Sequence, residues 1–334
     1  MTNAVRTLAI GMTYDLRDDY LKEGYTHEET AEFDLPDTLE AIEKVIIDNG
    51  YSADRIGNIK ALTRKLAAGE SWDLVFNIAE GLSGFGREAQ VPALLDAFNI
   101  PYTFSDALGQ SLTLHKGMTK HIVRDLGIPT PSFAVIKSEE DIDGVVLPFP
   151  LFAKPIAEGT GKGITALSKI NTRQQLQQVC KDMLRTFRQP VLVETYLPGR
   201  EFTVGILGTG KNARAIGALE VILKPEAEKN AYSYENKEHY DRLVQYTLVN
   251  DEEAQLAMDI SVDVWRGLDL RDAGRIDLRS DLRGIPHFME VNSLAGLNPI
   301  RSDLPILCNQ LGITYHDLIS SIIDSALQRA QINN

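Results

Sequence analysis

Gly274-Arg275-Ile276-Asp277-Leu278-Arg279-Ser280-Asp281, followed closely by His287-Phe288-Met289-Glu290-Val291-Asn292, is the stretch on which the fold turns. Arg275 and Asp277 stand two apart, as do Glu290 and Asn292, so on strands each pair points to one face. The apolar Ile276, Leu278, Met289 and Val291 alternate with them and are expected on the opposite, buried face. A carboxylate on such a half-buried strand is costly unless something offsets its charge. A pair of Mg²⁺ ions held by Asp277, Glu290 and Asn292, with water and phosphate oxygens completing the shell, removes that cost; hard oxygen ligands suit Mg²⁺, not zinc. The plainer alternative is a β-hairpin whose polar face meets water. Two features favour the ion site: Arg275 beside the first carboxylate, and the small-residue loop Ser293-Leu294-Ala295-Gly296-Leu297-Asn298-Pro299, able to turn backbone N–H groups toward an anion.

Upstream, FAKPIAEGTGKGIT (residues 152–165) puts Lys154 on an apolar strand running into Gly159, Gly161 and Gly163. Such a loop can lay its N–H groups over a triphosphate, and a lysine in an apolar strand needs an anionic partner. The tract is not a Walker A loop, because no glycine stands four residues before Gly161-Lys162 and no Ser or Thr follows the lysine. Around it, LTLHKGMTKHIVRDLGI and TRQQLQQVCKDMLRTF read as helices, and FAVI, FPLFAKPI, GITALSKI and VLVETYL as strands, with a Gly-rich hairpin between. EFTVGILG, AIGALEVIL, GRIDLRSD and PHFMEVN then read as strands, closed by the helix YHDLISSIIDSALQRA. At the other end, RTLAIGM, TLEAIEKVIIDNGY, WDLVFNIAEG and VPALLDAFNIPYT alternate strand and helix, the pattern of a parallel sheet. The acidic segment 13–37 has no clear period and is either a lid or a surface excursion. The expected organisation is a Rossmann-like α/β unit over 1–105, a central unit over 106–191 and an α+β unit over 192–334.

At 334 residues the chain is long enough for several cores. No run approaches a membrane span and the N-terminus turns acidic too early for a secretory signal, so a soluble cytoplasmic protein is expected. A net charge of -13 argues against generic nucleic-acid binding, and the two cysteines, Cys180 and Cys308, offer no metal spacing.

Taken in order and spacing, the lysine before a Gly-rich hairpin, VETYLPGREFTV, GRIDL and MEVNSLAG resemble the ATP-grasp superfamily, and within it the D-alanine:D-alanine ligase family. The resemblance implies an ATP-grasp fold and an ATP- and Mg²⁺-dependent ligase that joins a carboxylate to an amine through an acyl-phosphate. It implies Lys116, Lys154 and Lys237 at the phosphates under a flap containing Gly159, Thr160, Gly161 and Gly163. Glu194, Tyr196 and Leu197 would meet the adenine, partly through backbone groups, with Met289 against its face and Glu201 on the ribose. Arg275 and the N–H of Gly296 would hold the oxyanion, and Ser302, joined by Arg301, a substrate carboxylate. For Arg301 the alternative is a surface ion pair with Asp303, and for His239 the choice lies between a base near the amine and a solvated loop residue. A homodimer through the N-terminal unit is also implied.

Three positions depart from the family pattern. The glutamate that holds the first substrate's ammonium is replaced within MTYDLRDDY, the loop serine by Thr160, and the mobile-loop tyrosine by Glu238. NIAEGLSGFGREAQ also brings different charges, Glu80, Arg87 and Glu88. Recognition of the first amino acid should therefore differ from the family's, and D-alanine with D-alanine is only the leading candidate pair; the alternatives are another amino acid or a small metabolite such as a mycosporine, a small-molecule kinase, and a non-catalytic nucleotide-binding subunit.

Overall fold

The structure, a computed structural model, describes residues 7–227 and 239–332. Its first unit is a parallel sheet of β1 (Ala9–Tyr14), β2 (Ser52–Gly57) and β3 (Leu74–Ile78) in the order β2-β1-β3. Around the sheet run α1 (Arg17–Lys22), α2 (Pro36–Asp48), α3 (Ile59–Ala67) and α4 (Gln90–Ala97). β1 and β3 are the apolar runs expected of a buried parallel sheet. β2, SADRIG, is a polar edge strand and carries no hydrophobic run, so neither it nor α3 stands out in the sequence.

The segment expected to be a single helix divides at His115 into α5 (Ala107–Leu114) and α6 (Lys116–Asp125), where the His115 side chain accepts from the Met118 N–H. A four-stranded antiparallel sheet follows, in the order β4-β7-β5-β6, from β4 (Phe133–Ile136), β5 (Leu151–Pro155), β6 (Lys169–Ile170) and β7 (Val191–Thr195). The helix α7 (Arg173–Phe187) packs on it through Leu176, Cys180 and Met183. Of the strand expected over GITALSKI only Lys169 and Ile170 pair, because Ala166–Ser168 forms a 3₁₀ turn capped by Thr165. β7 belongs wholly to this sheet, so the expected boundary at 191/192 falls within one of its strands.

The third sheet, in the order β10-β9-β8-β11-β12, is antiparallel and consists of β8 (Glu201–Leu207), β9 (Arg214–Leu223), β10 (Val244–Val249), β11 (Ala273–Ser280) and β12 (Pro286–Asn292). A short helix, α8 (Tyr240–Leu243), precedes β10, and α9 (Glu252–Gly267) covers one face of the sheet, burying Trp265 with Phe202, Ile276, Leu278 and Phe288. Two helices end the chain, α10 (Asp303–Gln310) and α11 (Tyr315–Arg329). They do not pack only with their own unit. Leu318, Ile319, Ile322 and Ile323 of α11 share one core with Ile10, Met12, Ile42 and Phe76 of the first unit. Among the described residues no helix is long and apolar enough to cross a membrane.

Candidate active site

β11 and β12 carry the centre of the site. Arg275, Asp277 and Arg279 alternate with the buried Ile276, Leu278 and Ser280, as period two requires. β12 breaks the rule at one point. Asp277 pairs with Glu290 but Leu278 pairs with Phe288, so Met289 is an extra residue in a β-bulge. Strict alternation would send Met289 to the core face; the bulge instead brings it and Glu290 to the wall of one cavity.

Two cavities meet there. The smaller, of about 80 Å³, lies between Phe152, Tyr196, Leu197 and Met289, with Lys154, Glu201 and Asp277 on its polar side. The larger, of about 600 Å³, reaches from Lys116, Thr160 and Arg275 past Gly296 and Ser302 to the N-terminal unit. Glu290 lines both. Gly159, Asn292, His239 and Arg301 also fall on the larger cavity, and Gly161 on the smaller. Lys237 and Glu238 lie outside the described residues.

Behind the junction of the two cavities runs a buried ladder of alternating charge. Lys120 is 3.0 Å from Glu194, Glu194 3.3 Å from Lys154, and Lys154 3.5 Å from Glu290, which Lys116 approaches at 3.7 Å. Burial pulls the Lys154 ammonium downward, but Glu194 and Glu290 outweigh it and hold its pKa above the ordinary lysine value. Burial prevails at Lys120 and lowers it to about 8. Glu194, expected at the adenine, lines neither cavity; its carboxylate is fully buried as the partner of two lysines. Lys120 also donates to Thr130 Oγ1 at 2.9 Å and to the Phe288 carbonyl at 3.1 Å. The sequence signal for it was available, one helical turn after Lys116.

Arg279 was likewise legible, two residues beyond Asp277 on the same face. It donates to Glu201 at 3.2 Å and to the Tyr196 hydroxyl at 3.3 Å, closing the far side of the small cavity. The glycine loop is shaped by close approach. A methyl group on Gly159 would stand 1.9 Å from Glu32 Oε1, and one on Gly163 2.7 Å from the Phe187 ring. Gly163 therefore serves the packing of the hairpin, and it lines neither cavity. Thr160 takes a left-handed φ of 49°, and its hydroxyl is buried without a partner beside the large cavity.

Segment 13–37 folds over the cavity. Arg17 donates to the carbonyls of Thr30, at 3.0 Å, and Ala31, at 2.6 Å, and Arg87 joins Glu32 at 2.9 Å to the Ala157 carbonyl at 2.9 Å. The first unit thus touches the glycine hairpin directly. Asp34, Glu80 and Glu88 cluster at this end of the cavity. Burial raises the pKa of all three, Glu88 to about 7 against the pull of Arg87. Nothing in the sequence pointed to Glu32 or Asp34, which gain their place from tertiary packing.

Asp277, Glu290 and Asn292 share one face, and Asn292 lies 3.2 Å from Asp277. No group of three His, Cys, Asp or Glu residues able to hold a metal occurs among the described residues. Two carboxylates and an amide oxygen nevertheless suit Mg²⁺, which binds few protein ligands and fills its shell with phosphate oxygens and water. Thr160's unpartnered hydroxyl suits a neighbouring phosphate. In the large cavity, Ser302 Oγ accepts from the Asn298 N–H at 3.0 Å and would stand 2.8 Å from a methyl on Gly296. Asp303 does not form the surface pair considered for Arg301; it is 7% exposed and is paired with Arg275.

Residues 122–324 match the family model described as the D-ala D-ala ligase C-terminus. The D-alanine–D-alanine ligase of Aquifex aeolicus is 32% identical over 288 residues, 86% of this chain and 93% of that protein. An uncharacterised protein of Sinorhizobium fredii, y4sG, is 36% identical over 262 residues, 77% of this chain and 75% of that one. Among solved structures, a D-alanine–D-alanine ligase from Bacillus anthracis complexed with ATP superimposes with a TM-score of 0.73 at 20% identity, covering 97% of this chain and 99% of that one. The VanG D-Ala:D-Ser ligase from Enterococcus faecalis gives 0.73 at 18% identity, covering 96% and 100%.

Proposed function

From the premise that this chain belongs to the D-alanine:D-alanine ligase family, as an ATP-dependent C–N ligase of ATP-grasp fold, we propose that it forms an amide through an acyl-phosphate, with D-alanine the first candidate for both substrates. The observation that carries this reading is the pair of cavities meeting at Glu290, one lined by Phe152, Tyr196 and Met289 beside the Glu201 carboxylate, the other by Lys116, Arg275, Gly296 and Ser302.

The adenine lies between Phe152, Tyr196 and Met289, and Glu201 takes the ribose hydroxyls. Lys116, Lys154 and the glycine hairpin receive the phosphates, with Thr160 donating its hydroxyl. Asp277, Glu290 and Asn292 would hold Mg²⁺, which supplies charge neutralisation at the transferring phosphoryl group. A substrate carboxylate oxygen forms a bond to the γ-phosphorus while the β,γ-bridging bond breaks, leaving ADP and the acyl-phosphate. The amine then attacks the acyl carbon, Arg275 and the Gly296 N–H hold the oxyanion, and phosphate leaves as the C–O bond breaks. His239, at the rim of the large cavity, is positioned to take the amine's proton. Water is kept out by segment 13–37, tied to the hairpin through Glu32 and Arg87.

A second reading concerns the substrate alone. Asp34, Glu80 and Glu88 give the far end of the cavity an acidic wall, which favours an amino acid or metabolite carrying a further amine over D-alanine. The deciding experiment is phosphate release from ATP across D- and L-amino acids, singly and in pairs, with hydroxylamine to trap the acyl-phosphate. Stimulation by D-alanine alone supports the first reading. If no mixture containing D-alanine stimulates release while a diamino acid does, the first reading is abandoned for the second.

A further inference from the structure

Arg275 is held by two carboxylates of different kinds. Its Nε lies 3.0 Å from Asp277 Oδ1 and its Nη2 donates to Asp277 Oδ2 at 3.1 Å, while Nη1 donates to Asp303 Oδ2. Asp277 lies two residues away on the same strand, within the group proposed to hold Mg²⁺. Asp303 comes from elsewhere, the first turn of α10, where a helix N-terminus favours a negative charge. Its other oxygen accepts from the Tyr246 hydroxyl at 2.7 Å, and Tyr246 stands on β10, at the far edge of the sheet from β12. The three residues therefore form a chain, Tyr246 to Asp303 to Arg275, that links β10 to β11 and ends at the large cavity.

We propose that Asp303, oriented by Tyr246, is the positioning residue that fixes the Arg275 guanidinium for the amide-forming step. A cation held by Asp277 would repel the neighbouring guanidinium and so weaken the hold of Asp277 on Arg275. Asp277 cannot then be the sole anchor of Arg275 once the nucleotide is bound, and Asp303, outside the cation group, holds the side chain in place. An unanchored arginine has many rotamers, and a donor must be fixed before charge develops if it is to act on an oxyanion. Asp303 touches no reacting atom; its effect passes through Arg275. The inference rests on the oxyanion role given to Arg275 above, and the experiment separates the two.

The full-length protein is prepared as Asp303→Asn, Tyr246→Phe and Arg275→Ala. The first readout needs no substrate: the NMR cross-peak of the Arg275 Nε–H, assigned by its loss in Arg275→Ala, is followed for exchange with water, in the presence of the ATP analogue AMP-PNP and Mg²⁺. Asp303→Asn should raise that exchange by about tenfold and Tyr246→Phe by a smaller factor, since each loosens a hydrogen-bonded group without emptying its site. The second readout compares hydroxylamine-trapped acyl-phosphate with amide product, using ATP and the amino-acid pair that releases most phosphate. Asp303→Asn should lower amide formation by about tenfold or more while acyl-phosphate formation stays within about twofold, the split expected when only oxyanion support is lost. General damage to the fold would lower both. Unchanged Nε–H exchange in Asp303→Asn overturns the proposal. So does unchanged amide formation in Asp303→Asn when Arg275→Ala has lost it. If Arg275→Ala itself forms amide normally, the oxyanion role fails, and with it the function assigned to the anchor.

Discussion

Asp277 and Glu290 face each other across the β11–β12 pair, and each already has a cationic neighbour, Arg275 for the first and Lys154 and Lys116 for the second. Replacing either by its amide keeps the volume and removes the charge. Asp277→Asn and Glu290→Gln should each lower turnover by at least about a hundredfold, the scale at which a key electrostatic group acts, with near-normal activity in both refuting the metal assignment. Glu88 yields a prediction of opposite sign for stability. Burial raises its folded pKa to about 7, above the ordinary value of 4.5, so the folded state holds its proton more tightly than the unfolded chain does. The stabilisation this gives is complete below the unfolded value and is lost as pH rises through the folded one. Glu88→Gln, which mimics the protonated form, should therefore be more stable than the native chain at pH 8 by about 1–3 kcal/mol. The gap should narrow as pH falls toward 5, and equal urea midpoints at both pH values would contradict the shift.

At the scale of elements, β11 was legible because its alternation is strict, and β5 because Lys154 interrupts an apolar run. β12 was legible as a strand, but its bulge was not. A bulge is settled by pairing with a partner strand, and HFMEVN carries no glycine to announce it. β2, α9 and α10 went unnoticed for different reasons. β2 lies at a polar edge, whereas α9 mixes exposed acids with buried alanines and α10 is only eight residues long. Asp277, Glu290 and Asn292 on β11 and β12 were proposed from spacing and Glu201 on β8 from the family resemblance; of the acidic wall, Glu80 and Glu88 were named in the sequence, while Asp34 depends on segment 13–37, whose course follows from contacts with distant residues. The loop–segment contact itself can be tested by a double-mutant cycle. Gly159→Ala places a methyl on Glu32 and should reduce ATP-dependent phosphate release, and Glu32→Ala in the same chain should recover part of that loss. A coupling energy of about 1 kcal/mol is expected for residues in such contact; strict additivity would mean that the segment does not bear on the loop.

Across the whole molecule, one buried carboxylate joins parts that the sequence separates widely. Asp272 accepts from the Phe104 N–H at 2.7 Å, from Ser325 and Arg329 of α11 at 2.8 Å each, and from Thr209 at 3.1 Å. Asp272→Ala would leave these donors without their acceptor in a site only 1% exposed, and a loss of about 3–5 kcal/mol is expected in urea unfolding. A change below about 1 kcal/mol would show that water enters and replaces the carboxylate. The same helix, α11, supplies apolar cover to a core that also contains β1, and β1 ends at residue 14 whereas α11 begins at residue 315. During translation those roughly 300 intervening residues take about 15–60 s to emerge at ordinary elongation rates. For that interval Ile10, Met12 and Phe76 lack their final partners, so the nascent chain should be a client of holding chaperones until its last helix leaves the ribosome.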